Sequence, residues 1–256
     1  MTDRFGLRDR FLFQRMMAYW SDAARDADLA ELTGLRDQRQ KARQMRGTID
    51  KLLYTAESRL ALPRIGANVF SKPPGSRWSW RPALWRGPVE PKGAVGLETG
   101  KLIGPGMKVF HDCNVSELTF RQLRNNREED LAAFGLQMDV LGFEGSFLSV
   151  VIDLPPDAAD GLRKRDIIRV QTHVAAERPA PIFARLNIKC GPNTEQLVQE
   201  LPSETQEAAV DFDLAFADVT ENRIEAMWLD LIFDEPEMNQ FRIRDLTFYR
   251  YPRAEV

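Results

Sequence analysis

The sequence predicts an α+β protein: an N-terminal helical arm, a connector rich in proline, glycine and tryptophan, and a C-terminal antiparallel β-sandwich of jelly-roll-like type. Three observations support this prediction. Residues 1–62 contain no proline, residues 63–106 contain seven prolines and eight glycines, and residues 107–256 alternate apolar and polar side chains over short stretches. Lysine and arginine outnumber aspartate and glutamate by 12 to 9 and by 7 to 2 in the first two segments, whereas the third segment is acidic, with 16 basic and 27 acidic residues.

The arm, residues 1–62, is expected to be helical up to Pro63, because the residue before a proline avoids the helical conformation. Residues 7–20 hold too many large apolar side chains for one helix face, so we expect them to pack on another surface. From residue 35 onward, apolar side chains recur every three or four residues, which indicates a short heptad seam and a coiled coil between subunits. The candidate oligomerisation residues are Leu35, Ala42, Met45, Ile49, Leu52 and Ala56.

Two other interpretations of this seam remain open. An ordinary amphipathic helix that folds onto its own chain would show the same spacing. The basic side chains between the apolar positions could also contact nucleic acid, although such charge runs are more often solvated.

The connector, residues 63–106, is too rich in proline and glycine for a regular helix or a central strand. It nevertheless carries Trp78, Trp80 and Trp85, whose large apolar rings need a surface that buries them. We therefore expect an extended segment that docks through these three rings on the head or on a neighbouring subunit. Stacking of nucleic-acid bases on the rings is the alternative, but the acidic head would repel a polyanion.

The head, residues 107–256, alternates with the period of two that is typical of half-buried strands. Turn signals rich in proline and glycine separate the strands, and this pattern favours an antiparallel sandwich over a parallel sheet. The predicted strands are Met107–His111, Leu118–Leu123, Phe134–Leu141, Ser146–Leu154, Ile167–Ala175, Ile182–Lys189, Glu195–Leu201, Val210–Phe216, Met227–Asp234 and Gln240–Tyr249.

The head contains no motif for catalysis, cofactor binding or metal binding. Two histidines cannot supply a three-histidine zinc site, and neither a Gly-x-Ser-x-Gly elbow nor a Cys-x-x-Cys pair is present. The two cysteines, Cys113 and Cys190, are expected to be reduced thiols. We therefore expect a protein that is not an enzyme and that needs no cofactor and no metal.

Carboxylates on two strand faces are the best candidates for a binding site. Asp230 shares a face with Trp228, and Asp211 shares another with Asp213. An aromatic ring beside carboxylates can hold a sugar by stacking and hydrogen bonding, so we predict carbohydrate binding by Trp228 and Asp230, with Asp211 and Asp213 as the second candidate pair. Paired carboxylates could also bind Ca²⁺, catalyse glycoside hydrolysis or simply form a solvated face.

Two stretches, Gly104–Cys113 and Asn222–Phe233 with its continuation to Arg253, carry a resemblance to known proteins. Through them the chain resembles a family of alphaproteobacterial proteins without assigned enzymology, and it is similar to the head spikes of gene transfer agents, the phage-like particles that carry cellular DNA. The resemblance implies a structural protein of the virion surface whose partners are capsid proteins, and whose head resembles a carbohydrate-binding domain.

The sequence thus predicts an adhesive, homo-oligomeric spike. Its N-terminal part anchors it, and its displayed sandwich binds a cell-surface glycan. No apolar run is long enough for a secretion signal or a membrane span. We expect cytoplasmic folding, followed by display on a released particle, with no binding to membranes or nucleic acid. The alternatives are a polysaccharide-acting enzyme that uses the aspartate-rich face and a cytoplasmic scaffold whose arm contacts nucleic acid.

Overall fold

The computed structural model describes residues 7–60, 72–127, 130–202, 207–219 and 221–253. These residues form two compact units, which divide between Leu53 and Tyr54. The described part of the connector, residues 72–106, belongs to the same unit as the strands that follow it. The division of the chain at 62/63 and 106/107 into an arm, a connector and a head stays a prediction.

Two long helices form most of the arm. Helix α1 spans Leu7–Arg25 and helix α2 spans Leu32–Leu60, with a 3-10 turn at Ala27–Leu29 between them. Both helices leave large apolar side chains exposed: Phe11, Leu12, Phe13, Met16, Met17 and Tyr19 on α1, and Ile49, Leu52 and Leu53 on α2. Across the described residues, no helix combines the length and the apolar character that crossing a membrane requires.

The second unit is a jelly-roll-like sandwich of two antiparallel sheets, as the sequence predicts. Its described strands are β1 (Trp78–Trp80), β2 (Gly93–Val95), β3 (Lys101–Gly104), β4 (Met107–His111), β5 (Leu118–Arg124), β6 (Phe134–Val140), β7 (Leu148–Asp153), β8 (Asp166–Ala176), β9 (Ile182–Cys190), β10 (Asn193–Glu200), β11 (Glu207–Asp213), β12 (Ile224–Phe233) and β13 (Asn239–Pro252). Sheet A has the order β11-β8-β13-β6-β5-β2, with β1 also paired to β13, and sheet B has the order β10-β9-β12-β7-β4-β3.

Each of the ten strands predicted for the head corresponds to one of β4 to β13, and the boundaries differ most at β11. The alternation predicts a strand up to Phe216, but β11 ends at Asp213. The Asp213 carboxylate accepts a hydrogen bond of 3.0 Å from the amide of Ala215, which starts a 3-10 turn at Leu214–Phe216. The aspartate therefore acts as a cap that ends the strand, and Phe216 is 79% exposed.

The connector packs into the sandwich as strands and a short helix, α3 (Ala83–Arg86). Trp85 is fully buried, and its Nε1 donates to the carbonyl of Ile243 at 3.1 Å. The half-buried Trp78 and Trp80 lie in β1, where the ring of Trp80 is 5.4 Å from that of Phe248. Pairing of β1 with β13 thus supplies the surface that covers these rings.

A buried ion pair joins the connector to the last strand. Arg81 donates from Nε and Nη2 to both oxygens of Asp245, at 2.9 and 2.7 Å. The Arg81 side chain has no exposed surface. Such a bidentate pair satisfies two charges that would otherwise be costly to bury, so Asp245 serves the fold.

Candidate functional site

A groove crosses the outer face of sheet B, the face that points away from the core. Successive residues of a strand point to opposite faces. Leu229 and Leu231 are buried in the core. The alternate side chains of β12 therefore point outward, and these are Trp228, Asp230 and Ile232. The groove has a volume of about 560 Å³. Its lining consists of Lys108, Phe110, Phe147, Ser149, Val151, Asp153, Arg185, Trp228, Asp230 and Ile232.

Strand register brings the lining residues together from separate parts of the chain. Trp228 on β12 lies between Asp153 on β7 and Asn187 on β9. Asp230 lies beside Arg185 on β9, two residues further along β12. At about 3.3 Å per residue, the backbone positions of the ring and the ion pair are about 7 Å apart. One small ligand could therefore touch both.

The charged centre of the groove is an ion pair held by a third side chain. The Nε and Nη2 atoms of Arg185 lie 2.7 and 2.6 Å from Oδ2 of Asp230. Asn187 donates to the same oxygen at 3.0 Å. The Asp230 side chain is only 3% exposed, whereas that of Arg185 is 35% exposed. The carboxylate thus fixes the guanidinium, which reaches the groove.

This geometry modifies the predicted role of Asp230. The sequence assigns it direct hydrogen bonds to sugar hydroxyls, but its carboxylate is buried and already accepts from Arg185 and Asn187. Of this ion pair, the guanidinium of Arg185 is the group that the groove exposes. Trp228 itself is half-buried on the groove face, as its strand phase predicts.

The rim of the groove carries a second, looser charge pair. Lys108 Nζ and Asp153 Oδ2 are 3.9 Å apart, and both side chains are partly exposed. With Arg185 and Asp230, the lining contains two cations and two anions, so these charges balance. Aromatic side chains from β4 and the loop before β7, Phe110 and Phe147, add apolar surface.

The second predicted pair, Asp211 and Asp213, lies on sheet A rather than on the sheet that carries the groove. Arg169 donates to both oxygens of Asp211, at 2.8 and 2.7 Å. Asp213 caps the turn described above and lies 3.4 Å from Arg253. Each carboxylate is therefore engaged by a neighbouring group of the same surface.

The electrostatics of Asp211 argue against an acid role. Partial burial tends to raise its pKa, but hydrogen bonding and the positive charge of Arg169 outweigh it and hold the pKa below its usual range. The pKa of the neighbouring Tyr251 shifts in the opposite direction, because burial and the charge of Asp211 raise it to about 12. Asp211 is thus ionised at neutral pH and unsuited to donate a proton.

The predicted oligomerisation residues occupy one side of α2. Ile49 and Leu52 are exposed, as is Ala42, while Leu35, Met45 and Ala56 are half-buried. Self-association through this seam stays a prediction.

Sequence reasoning missed the groove residues Arg185, Lys108 and Phe110, which other strands contribute, and the buried Asn187 that binds Asp230. Alternation within β4 and β9 shows which side chains of each strand share a face. It does not show that this face is continuous with the face of β12 that carries Trp228. Only the pairing order β9-β12-β7-β4 makes them neighbours. In the described ranges, no three or more His, Cys, Asp or Glu side chains are grouped so that they could hold a metal ion.

The chain belongs to DUF6478, a family of unknown function, which it matches over residues 1–256. Among curated proteins, none matches it in sequence.

Several solved structures are similar in fold. A family 11 carbohydrate-binding module from Clostridium thermocellum, in complex with a β-1,3-1,4-mixed-linked tetrasaccharide, is 10% identical with a TM-score of 0.40 over 64% of this chain and 99% of that one. The enzymatically active domain of tailspike protein 4 from bacteriophage CBA120 is 5% identical, with a TM-score of 0.39 over 56% of this chain and 19% of the other. A xylan-binding domain from Paenibacillus barcinonensis is 10% identical, with a TM-score of 0.36 over 57% and 87%. With scores below 0.5, none of these similarities supports a functional argument.

Proposed function

We propose that this member of DUF6478 is a carbohydrate-binding structural protein, a head spike of a phage-like particle, whose sandwich presents the groove of sheet B to a cell-surface glycan. The observation that carries the proposal is the groove itself. It places the half-buried ring of Trp228 beside the fixed guanidinium of Arg185, on an open sheet face. The particle setting is drawn from the resemblance to gene transfer agent spikes.

The groove offers the two kinds of contact that a sugar needs. The carbon-bound hydrogens of a pyranose form an apolar face that can pack on the ring of Trp228 and on Phe110. The hydroxyl groups need fixed donors and acceptors, which Arg185 and the rim pair Lys108 and Asp153 supply. Binding would require little reordering at Arg185, because Asp230 and Asn187 already hold that end of the groove.

The charges of the groove favour a neutral glycan. Its two cations and two anions balance, and the head around it is acidic. An anionic polysaccharide would meet the negative field of the head without a compensating positive site in the groove. We therefore propose a hydroxyl-rich, uncharged oligosaccharide as the ligand.

The proposal assigns no enzymatic activity to the protein. The one carboxylate in contact with the groove floor, Asp230, is bound by Arg185 and Asn187, and the other, Asp153, lies near Lys108. General acid catalysis of glycoside cleavage needs a carboxylic acid that stays protonated near neutral pH. In the groove, both carboxylates are instead engaged in ion pairs with Arg185 and Lys108.

The arm is proposed to assemble the spike and to attach it to other structural proteins of the particle. Exposed apolar side chains on α1 and α2 provide surfaces for this purpose. The double change Ile49→Asp and Leu52→Asp should convert an oligomer to a monomer in light scattering, whereas Thr48→Asp, off the seam on the same helix, should not. A double variant with the same mass as the wild-type oligomer would show that the α2 seam does not join subunits.

Blocking the groove tests the binding function directly. Val151→Trp places a large ring on the groove floor, and Val95→Trp adds the same ring to an exposed position on β2 of the other sheet. We expect titration calorimetry with neutral oligosaccharides to detect binding by the wild type and by Val95→Trp, but not by Val151→Trp. Binding by Val151→Trp equal to the wild type would move the site elsewhere.

The particle role needs a separate experiment. Antibody against the sandwich, coupled to gold, should label the heads of purified particles in electron micrographs. Intact particles that carry no label, from cells that produce the protein, would reject the spike role and leave the groove proposal untouched.

A further inference from the structure

A cluster of arginines lies on the outer face of sheet A, on the opposite side of the sandwich from the groove. The register of β13 shifts between Ile243 and Asp245, so Arg244 is the extra residue of a β-bulge. Bulges redirect side chains and are frequent beside binding sites. Arg242, two residues earlier, lies opposite Gln137 of β6.

Arg244 is paired with a carboxylate from the loop between β5 and β6. Its Nη1 lies 3.5 Å from Oδ1 of Asp130, and their side chains are 13% and 6% exposed. The other oxygen of Asp130 accepts a 2.9 Å hydrogen bond from the amide of Arg127. The carboxylate therefore already serves two partners.

Arg242 is different, because its Nε is buried and has no hydrogen-bond partner in the described part of the chain. Burial lowers the pKa of Arg242, and the neighbouring Arg244 and Arg127 guanidiniums lower it further, while Asp130 opposes them. A partly buried cation between like charges is unfavourable unless an anion compensates it.

We propose that Arg242, with Arg244 beside it, binds a small oxyanion, a phosphate or carboxylate group. The planar guanidinium offers a fork of N–H donors that matches two oxygens of such a group. The N–H fork of Arg242 would then have an acceptor, and the positive charge of Arg242 and Arg244 that is in excess over the charge of Asp130 would be neutralised. The site is independent of the groove and of its proposed ligand.

Thermal unfolding at constant ionic strength tests this inference. Wild-type protein in low-millimolar inorganic phosphate should melt at a higher temperature than in chloride, with a shift that saturates as a single site fills. Low concentrations keep the general stabilising effect of excluded anions small. A parallel series in acetate separates the two sources of the ligand, because a response to acetate alone indicates a carboxylate site and one to phosphate alone a phosphate site.

Variants assign the effect to Arg242. Arg242→Gln should abolish the anion-dependent shift and should melt higher than the wild type in chloride, because it removes an uncompensated charge. Arg242→Lys keeps the charge but loses the fork, and should weaken anion affinity roughly tenfold. Arg223→Gln, at an exposed position outside the cluster, should retain the full shift.

Two results would overturn the proposal. One is a wild-type protein whose melting temperature responds to neither phosphate nor acetate, which would show that neither anion occupies a site at Arg242. The other is an anion-dependent shift that persists in both Arg242→Gln and Arg242→Lys.

Discussion

The two outer faces of the sandwich use the same residue types for different ends. On sheet A, Asp211 is paired bidentately with Arg169, and Asp245 is paired bidentately with the fully buried Arg81. On sheet B, Asp230 uses one oxygen for both Arg185 and Asn187, at the floor of an open groove beside Trp228. A carboxylate paired with arginine is thus not itself a sign of function.

What separates the two faces is the surface around the ion pair. The Arg81–Asp245 pair is covered and joins the connector to β13. The Arg185–Asp230 pair is buried at the carboxylate and open at the guanidinium, and aromatic side chains line the same groove. The first arrangement stabilises the fold, and the second presents a fixed donor to a ligand. Four predictions test this distinction, in order of expected effect.

The largest effect concerns stability. Asp245→Ala removes the carboxylate that pairs bidentately with the buried Arg81, and should lower the free energy of unfolding by about 3–5 kcal/mol. Asp211→Ala removes the partner of Arg169, whose side chain is 33% exposed, and should cost about 1 kcal/mol or less. Chemical denaturation of the two variants provides the comparison. Equal losses of unfolding free energy in the two variants would show that the Arg81–Asp245 pair does not anchor the connector to β13.

The next effect concerns affinity. Trp228→Ala should weaken binding of a neutral oligosaccharide about 30-fold, the loss expected for a central aromatic contact of about 2 kcal/mol. Phe216→Ala removes an exposed ring from the 3-10 turn after β11 and should leave the affinity unchanged. Calorimetry on both proteins, with circular dichroism to verify folding, gives the result. A folded Trp228→Ala protein with full affinity would contradict the groove.

A smaller effect is expected from the fixed donor. Arg185→Gln should weaken glycan binding about tenfold, since hydrogen bonds that involve a charged group contribute about 1.5–3 kcal/mol. Arg169→Gln is the matched change on sheet A and should not alter affinity. If both variants lose affinity equally, the effect comes from net charge rather than from the groove.

The smallest effect is a titration. Because the pKa of Asp211 is lowered in the folded state, its contribution to stability is present above the unfolded pKa and is lost as pH falls through the folded value. Carboxyl NMR should show a midpoint for Asp211 below that of a free aspartate, near 3.9, and Arg169→Gln should move it upward. An unchanged midpoint in the variant would mean that Arg169 does not set it.

The period of two in the sequence is enough to predict the strands of the head, because burial of alternate residues is a local property. It also predicts that Trp228 and Asp230 point away from Leu229 and Leu231. It does not predict that β9 and β7 flank β12, since strand order depends on contacts between residues far apart in the chain. Arg185, Asn187 and Lys108 therefore could not be placed beside Trp228.

The connector illustrates the opposite limit. Its three tryptophans predict burial, but its high proline and glycine content gives no sequence signal for the short strands β1, β2 and β3. Backbone pairing with longer strands stabilises two of them: β1 pairs with the second half of β13, and β2 pairs with β5. Tertiary pairing here overrides weak local preference.

NMR of the tryptophan side chains tests the central claim most directly, because the five indole N–H signals report on each ring separately. Trp228→Phe identifies its signal by absence. Titration of the wild type with a neutral oligosaccharide should shift the Trp228 signal in a saturable manner and leave the buried Trp85 signal in place. A saturating ligand that leaves the Trp228 signal unmoved would contradict a carbohydrate site in the groove of sheet B.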